Sequence, residues 1–519
     1  MSYKKIKNMT AAILLGCAVL SQSCTSWLDI TPEAQVNDKK IFSTPQGFKD
    51  VLNGIYITAS GEKLYANNLL FGFTDVLAQY YAIPDETHEF AQLAKYQYKD
   101  VNISPKIDEM WLELYFCIAN CNILLERLEE VGPDFFEDER TYYILHGEAR
   151  ALRAFFHFDL LRLFAPYDFS SEAKPAIPYV KEARPAIAPQ LTPAKFVEYA
   201  LEDVNAAIAL LKEDPILTGK AAVTDLEGRD PIFDPLYQAT TGSDMYMWTQ
   251  PMPDRNEFLS YRGFRLNYYA VNALLARVYA YKLDKKQAYD YAKIVLESGV
   301  FKFTDYWKIT SDIQYRNRIL RPEIVFGFNV PRMTKVFEPY SPSYSSSKKW
   351  LTIKNSEQMF EGSANDYRLN YLMEHEILAA FDRPSCIKFV KPENADEMTE
   401  EEMGRIAPMI RISEMYYYVC EYLMDSDLNG AKTELQKLRN ARNAKEALIA
   451  NSPAELEDVI VNDARREFMC EGQLFYFYKR LGRKVVDESG NYTMTEKDFV
   501  LPLPDVELEF GNRLSELYK

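Results

Sequence analysis

Six times this sequence sets a hydroxyl residue directly before a proline, and behind four of these pairs, Thr44-Pro45, Ser104-Pro105, Thr192-Pro193 and Ser452-Pro453, a helical apolar spacing follows. The hydroxyl can accept a free backbone N–H at a helix start, and proline at the first helical position loses nothing by lacking one. Each of these four therefore predicts a helix, and Glu455 adds a capping box to Ser452. The spacing behind each start agrees. Phe48, Val51, Leu52 and Ile55 fall on one face, and Trp111, Tyr115, Ile118, Leu125 and Leu128 on another, ahead of a stop at Gly132-Pro133. Leu145, Ala149, Leu152, Phe156, Leu160 and Leu163 run at steps of three and four up to Ala165-Pro166, and Phe196, Ala200, Val204, Ile208 and Leu211 make a fourth stripe. Helices apolar on one side must pack on other helices, because each stripe needs a cover.

Two more stretches read as helical hairpins. One runs over 271–283, breaks at Asp284 and continues over 287–298 to Gly299; the other runs over 412–424, turns at 425–430 and continues over 431–439. In both, a tyrosine precedes an alanine by nine residues, Tyr279 before Ala288 and Tyr422 before Ala431. A large residue facing a small one is how tetratricopeptide-type repeats bring two helices together. The expected fold is mainly α, a tetratricopeptide-like helical-pair scaffold over about 44–213, 264–299 and 405–482. Large loop-rich excursions at about 214–263 and 300–404 carry Gly, Pro and aromatic residues without sustained period, and a short strand is expected over 323–330.

The first residues read as a leader. Lys4, Lys5 and Lys7 precede an apolar run from Met9 to Leu20, which is too short for a membrane helix and is closed by Ser21 and Ser23 before Cys24. A cysteine there can take a diacylglycerol before cleavage. Leu14-Leu15-Gly16-Cys17 is the better local match to a lipoprotein signal, but cleavage at Cys17 leaves a very short apolar run, so lipidation is assigned to Cys24. Residues 1–23 are then the signal peptide and 24–43 a polar tether. With a formal net charge of −16, more negative once the leader lysines are gone, the chain is unsuited to gripping phosphate backbones, and no nucleic-acid partner is expected.

Enzyme motifs are missing. There is no Gly-x-Ser-x-Gly elbow and no His-Glu-x-x-His, and the four histidines, His88, His146, His157 and His375, lack ligand spacing. No cofactor is implied. Cys117 and Cys121, one helical turn apart, read as packing, with metal binding the alternative. Asp425-x-Asp427-x-Asn429-Gly430 resembles half of a calcium loop, but Gln436 stands where a bidentate Glu is required; a capped turn fits better. What remains is aromatic. Tyr246 and Trp248, then Tyr340, Tyr344 and Trp350, then Tyr80 and Tyr81 lie among polar neighbours, the chemistry that stacks a sugar ring and hydrogen-bonds its hydroxyls. These seven are the candidate ligand contacts.

The pieces together resemble the SusD/RagB family of nutrient-binding lipoproteins of the Bacteroidetes outer membrane. Cys24-Thr-Ser-Trp-Leu-Asp looks like the family's mature start. Gly147-Glu-Ala-Arg-Ala-Leu-Arg-Ala-Phe-Phe-His-Phe-Asp-Leu-Leu-Arg-Leu-Phe looks like its most recognisable helix, and Ala273-Leu-Leu-Ala-Arg-Val-Tyr, Pro322-Glu-Ile-Val-Phe, Ala464-Arg-Arg-Glu-Phe-Met-Cys-Glu-Gly-Gln and Leu501-Pro-Leu-Pro follow in the family's order. The resemblance implies a SusD-like body over 44–519, anchored at the cell surface on the outer membrane by a lipid. It implies capture of an oligosaccharide, or of a peptide as in the RagB branch, and its delivery to a SusC-like TonB-dependent transporter without catalysis; a surface glycoside hydrolase is the remaining alternative. It implies structural roles for Arg150, Arg153, Glu467 and Gly472, and assigns no ligand contact, because those lie on variable loops.

Overall fold

The computed structural model describes residues 40–511 and 513, apart from 84, 185–186, 219–256, 261, 313–315, 343–348, 379–380, 392–404 and 486–492. The chain forms two compact units, 1–48 and 49–519. In the described part of the first, the Gly47 N–H donates to Thr44 Oγ1 at 3.3 Å, and Phe42 meets Phe48 edge-on with ring centres 4.9 Å apart.

Ten helices of eight or more residues are present among the described residues. They are α1 (Pro45–Ala59), α2 (Ser104–Val131), α3 (Glu139–Phe164), α4 (Pro193–Leu210), α5 (Tyr268–Tyr281), α6 (Lys285–Glu297), α7 (Ile412–Leu423), α8 (Leu428–Ala441), α9 (Pro453–Glu467) and α10 (Leu474–Leu481). Side-chain caps set most of the starts. Thr192 receives the Lys195 N–H at 3.3 Å, Asp284 that of Gln287 at 3.2 Å and Ser452 that of Glu455 at 3.2 Å. The expected box at Ser452 is displaced by one residue, since the Glu455 carboxylate accepts from the Asn451 N–H at 2.8 Å. Ser104 differs from expectation. It is already helical and makes no side-chain cap bond; Ile103 before it is αR, because the turn at 100–103 runs straight into the helix.

Helix α3 is buried along nearly its whole length and is flanked by α2 and α4. Arg153 of α3 ties all three together: its guanidinium donates to Asp203 of α4 at 2.8 Å through Nε and to Asn122 of α2 at 2.8 Å. Arg150 reaches Asp203 at 3.3 Å and Glu129 at 3.1 Å. The predicted hairpins are α5–α6 and α7–α8. Ala288 and Ala431 are buried, and the tyrosines meet between helices, Tyr279 stacked on Tyr291 at 5.6 Å and Tyr289 tilted against Tyr422 at 4.6 Å, the latter joining one hairpin to the next.

Strands are few and paired by twos: β1 (Tyr81–Ala82) with β5 (Thr352–Ile353), β2 (Ile177–Pro178) with β3 (Gln190–Leu191), β4 (Ile324–Asn329) with β8 (Ile406–Arg411) and β6 (Met373–Leu378) with β7 (Phe381–Cys386), all antiparallel. The predicted strand over 323–330 is β4. The fold class is therefore as expected, mainly α with helical pairs and a few short strands.

A buried set of charges stitches the 300–404 excursion to the C-terminal helices. Glu467, at the end of α9, receives Arg368 at 3.0 Å, Arg411 at 2.6 Å and Arg442 at 2.7 Å, while Arg368 also holds Asp366 and Asp463 and Arg442 also holds Glu323. Burial opposes the charge of Glu467, but Arg442, Arg411 and Arg368 outweigh it and hold the carboxyl well below the usual range. Gly472 follows at φ +67°, with so little room that a Cβ there would lie 2.5 Å from the Leu69 carbonyl oxygen. No helix among the described residues is long and apolar enough to cross a membrane.

Candidate functional site

The aromatic candidates at 80–81 and 340–350, far apart in sequence, meet in space. Strand β1 pairs with β5 in the register Tyr81↔Ile353 and Ala82↔Thr352, the Lys354 N–H donates to the Tyr80 carbonyl at 2.9 Å, and that of Leu351 to the Tyr340 carbonyl at 2.9 Å. Their rings do not share one fate. Tyr80, Tyr81 and Tyr340 are 1%, 2% and 6% exposed, so no sugar can stack on them, and for these three the expected platform is corrected to a buried floor. The polar neighbours that suggested exposure, Asp75 and Gln79, are themselves buried. Each hydroxyl is occupied: Tyr80 donates to the Arg465 carbonyl at 2.8 Å, Tyr81 lies 3.3 Å from Cys470 Sγ, and Tyr340 donates to Glu89 at 3.1 Å while accepting from Asn67 at 3.0 Å.

Trp350, next in the chain to Leu351 of this paired segment, is half-buried, with the Arg383 guanidinium carbon of β7 4.4 Å from its ring centre. The strand it leads into, β5, runs beside β7. Lys349, next in the chain, reaches Glu89 at 3.0 Å, and Lys106 reaches the same carboxylate at 3.0 Å. Partial burial opposes the charge on Glu89, but bonds from Lys349 and Lys106 outweigh it and hold the group below the ordinary range. The result is an aromatic ring with a guanidinium against it, on a segment fixed by the β1–β5 pairing and next to the Lys349–Glu89 ion pair in the chain. Such an arrangement can stack an apolar ring face and bond to the hydroxyl, amide or carboxylate groups around its edge. Lys349 was within reach of sequence reading as the neighbour of Trp350; Arg383 becomes a neighbour only through strand pairing.

Tyr246, Trp248, Tyr344 and Cys24 lie outside the described residues. A second aromatic surface was not anticipated. Tyr306 is 65% and Trp307 41% exposed on the short helix Tyr306–Thr310, packed beside Tyr367–Tyr371, where Arg316 covers Tyr371 at 4.9 Å. By contrast, a hollow of about 170 Å³ lined by Arg439, Glu446, Ala447, Ile449, Val459, Asn462, Asp463 and Arg466 has no aromatic wall.

The calcium-like fragment is a capped turn, in which Asp427 receives the Gly430 N–H at 2.8 Å and Asp425 pairs with Lys285 at 2.6 Å. Cys117 and Cys121 are buried packing residues of α2, and burial pushes the Cys117 thiol up to about 12. Among the described residues no group of three His, Cys, Asp or Glu side chains is placed to hold a metal ion.

Residues 26–224 match a SusD-like family model described as starch-binding associating with outer membrane. A SusD superfamily protein of Bacteroides thetaiotaomicron superposes with a TM-score of 0.67 at 18% identity, covering 90% of this chain and 98% of that one. The chain thus resembles the SusD-like family model over residues 26–224 and has the fold of the SusD superfamily structure. A SusD-like protein of Formosa agariphila is 26% identical over 209 residues, a match that spans 39% of this chain and 38% of that relative. Among solved structures, a putative sugar-binding protein of Bacteroides vulgatus has a TM-score of 0.66 at 21% identity, covering 90% of this chain and 96% of that one. A surface glycan-binding protein A of Bacteroides fluxus has a TM-score of 0.61 at 16% identity, covering 91% and 97%. The last two are described by name as sugar- or glycan-binding, and the matched family model by its association with the outer membrane. The motif residues Arg150, Arg153, Glu467 and Gly472 all sit at helix junctions in this SusD fold, away from Trp350 in sequence and engaged with backbone or buried charge.

Proposed function

We propose that the protein binds an oligosaccharide at the Trp350 surface without cleaving it, and hands it to a SusC-like TonB-dependent transporter beside which a lipid on Cys24 holds it. The observation that carries the reading is the half-buried Trp350 ring with Arg383 against it, on a segment held by the β1–β5 pairing and by the backbone bond from Leu351 to Tyr340. Because that segment is fixed before the ligand arrives, little ordering opposes binding. Tyr246, Trp248 and Tyr344 are proposed as further contacts on the same chemical grounds, and the starch-binding description of the matched family supports a glycan over a peptide.

Calorimetry of the protein against a panel of oligosaccharides tests this. A ligand from the panel should bind with favourable enthalpy, and Trp350→Ala should weaken it by about tenfold or more, in keeping with 1–3 kcal/mol for a buried aromatic contact, with an unchanged melting midpoint. Undiminished affinity in that variant removes Trp350 from the site. Release of shorter sugars by the purified protein argues for a hydrolase instead.

A further inference from the structure

Tyr306 and Trp307 stand in solvent on a short helix that is itself pinned from several sides. Ile309 of the same helix is buried with Leu320 and Leu372, and Tyr367 and Tyr371 rest against that cluster. The Lys308 carbonyl accepts the Asn317 N–H at 2.8 Å, and Arg316 donates to the carbonyls of Ser311 at 3.2 Å and Tyr371 at 3.3 Å. The Tyr367 N–H donates to the carbonyl of Arg442, a member of the buried charge cluster, at 2.8 Å. Of the tryptophans among the described residues Trp307 is the most exposed, since Trp111 is buried and Trp350 half-buried. Two large rings held in water on a fixed base forgo the burial that aromatic side chains ordinarily gain, which marks a surface for a ligand.

The surroundings select the kind of ligand. Tyr367 and Tyr371, half-buried and edge-on with ring centres 5.9 Å apart, extend the aromatic surface. The flanking groups are polar: exposed Asp305, whose side chain makes no cap bond to the helix, exposed Asn370, and the Lys308 ammonium 5.2 Å from the Trp307 ring centre. Aromatic faces among groups of both signs suit a sugar ring, whose C–H face stacks while its hydroxyls bond to carboxylate, amide and ammonium. An acyl chain or an apolar protein face would desolvate Asp305 without compensation. The surface also adjoins Trp350 along the chain. The helix Tyr367–Tyr371 runs into β6, where Glu376 is the cross-strand partner of Arg383, the residue against Trp350. Tyr371 and Glu376 are five steps apart in the sequence, so their backbones are separated by at most roughly 18 Å. A glycan of several units covers such a distance.

We propose that Tyr306 and Trp307, with Tyr367 and Tyr371 beside them, form a second sugar-stacking subsite that holds a more distant part of the glycan chain bound at Trp350. For the class of ligand this rests on the glycan reading of Trp350; the place follows from these rings alone. Two contacts on one chain make the second an intramolecular event, so affinity grows with glycan length until both are reached.

The full protein is run through native gels holding a panel of polysaccharides, and then titrated calorimetrically with short and long oligosaccharides cut from one that retards it. The long chain should bind about tenfold or more tighter than the short one. Trp307→Ala and Tyr306→Ala should each remove most of that gain while leaving short-chain affinity and the melting midpoint unchanged, because exposed rings add little to packing. Trp350→Ala should weaken both. Undiminished long-chain binding in the variant with both Tyr306→Ala and Trp307→Ala overturns the subsite and leaves Trp350 in place. Loss of binding in that variant, with Trp350→Ala indistinguishable from wild type, supports the subsite and removes Trp350. Flotation of the Cys24→Ser chain with vesicles of phosphatidylethanolamine and phosphatidylglycerol, abolished by adding Trp307→Ala, makes the surface a membrane contact and overturns the proposal. A wild type that no polysaccharide of the panel retards also overturns it, while the Trp350 reading answers to its own oligosaccharide calorimetry.

Discussion

His157 is held in one tautomer by its neighbours. The Val180 N–H donates to Nε2 at 2.9 Å, so the proton is on Nδ1, which donates to the Arg153 carbonyl at 2.9 Å; the Tyr179 ring stacks on it with centres 3.7 Å apart. Burial lowers its pKa to about 3. The unfolded chain takes up this proton near pH 6.5 and the folded chain only near pH 3, so between those values the unfolded state holds more protons. The stability contribution is complete above pH 6.5 and falls with pH by about 1.4 kcal/mol per unit. His157→Gln can keep both hydrogen bonds without titrating. Denaturant melts at several pH values should show its stability losing about one proton of slope between pH 6.5 and 4, against a wild type that retains it. Gly472 makes a different kind of prediction. Alanine there meets both a left-handed backbone and the Leu69 and Leu70 carbonyls, and Gly472→Ala should cost about 2–4 kcal/mol in the same melts. At this scale the sequence was uneven as a guide. Gly472 stood inside a recognisable motif, but nothing adjacent to Tyr80, Tyr81 or Tyr340 distinguishes a ring that packs from one that faces a ligand.

The helices were legible because each carries its own signal. Thr192, Asp284 and Ser452 cap the next turn, and the apolar period behind them is local, so chain neighbours alone define the element. The excursions were not. Strand β1 is two residues long and exists only because 352–353 pair with it, a contact across some 270 residues that no local pattern records. The same holds for Glu323, Arg368, Arg411 and Arg442, which read singly as ordinary surface charges and form a buried cluster with Glu467. Breaking one such partner leaves others buried without compensation. Glu467→Gln is expected to cost about 3–5 kcal/mol and, by hydrogen exchange, to loosen residues 366–371 before α2 and α3. Uniform loosening of the whole chain in that experiment would show that the cluster does not act on its own region.

Across the whole molecule, the fold class was visible in the sequence, whereas the surface proposed to face a ligand was legible only in part. Trp350 was singled out and its neighbour Arg383 was not, and the exposed pair Tyr306 and Trp307 went unnoticed because they sit in a short helix with no period. Anchoring belongs to this scale too. Cys24→Ser should abolish incorporation of labelled palmitate and move the protein from the membrane to the soluble fraction, while Cys17→Ser should leave both unchanged; the reverse result assigns the lipid to Cys17. The charge cluster also sets an order in time. A chain made from its N-terminus presents Glu323 and Arg368 long before Arg411, Arg442 and Glu467 exist, so the middle of the protein cannot settle until its last quarter has arrived. That interval keeps the centre of the chain loose while the tail is still being made, the state in which a polypeptide can be threaded through a membrane before it closes on itself.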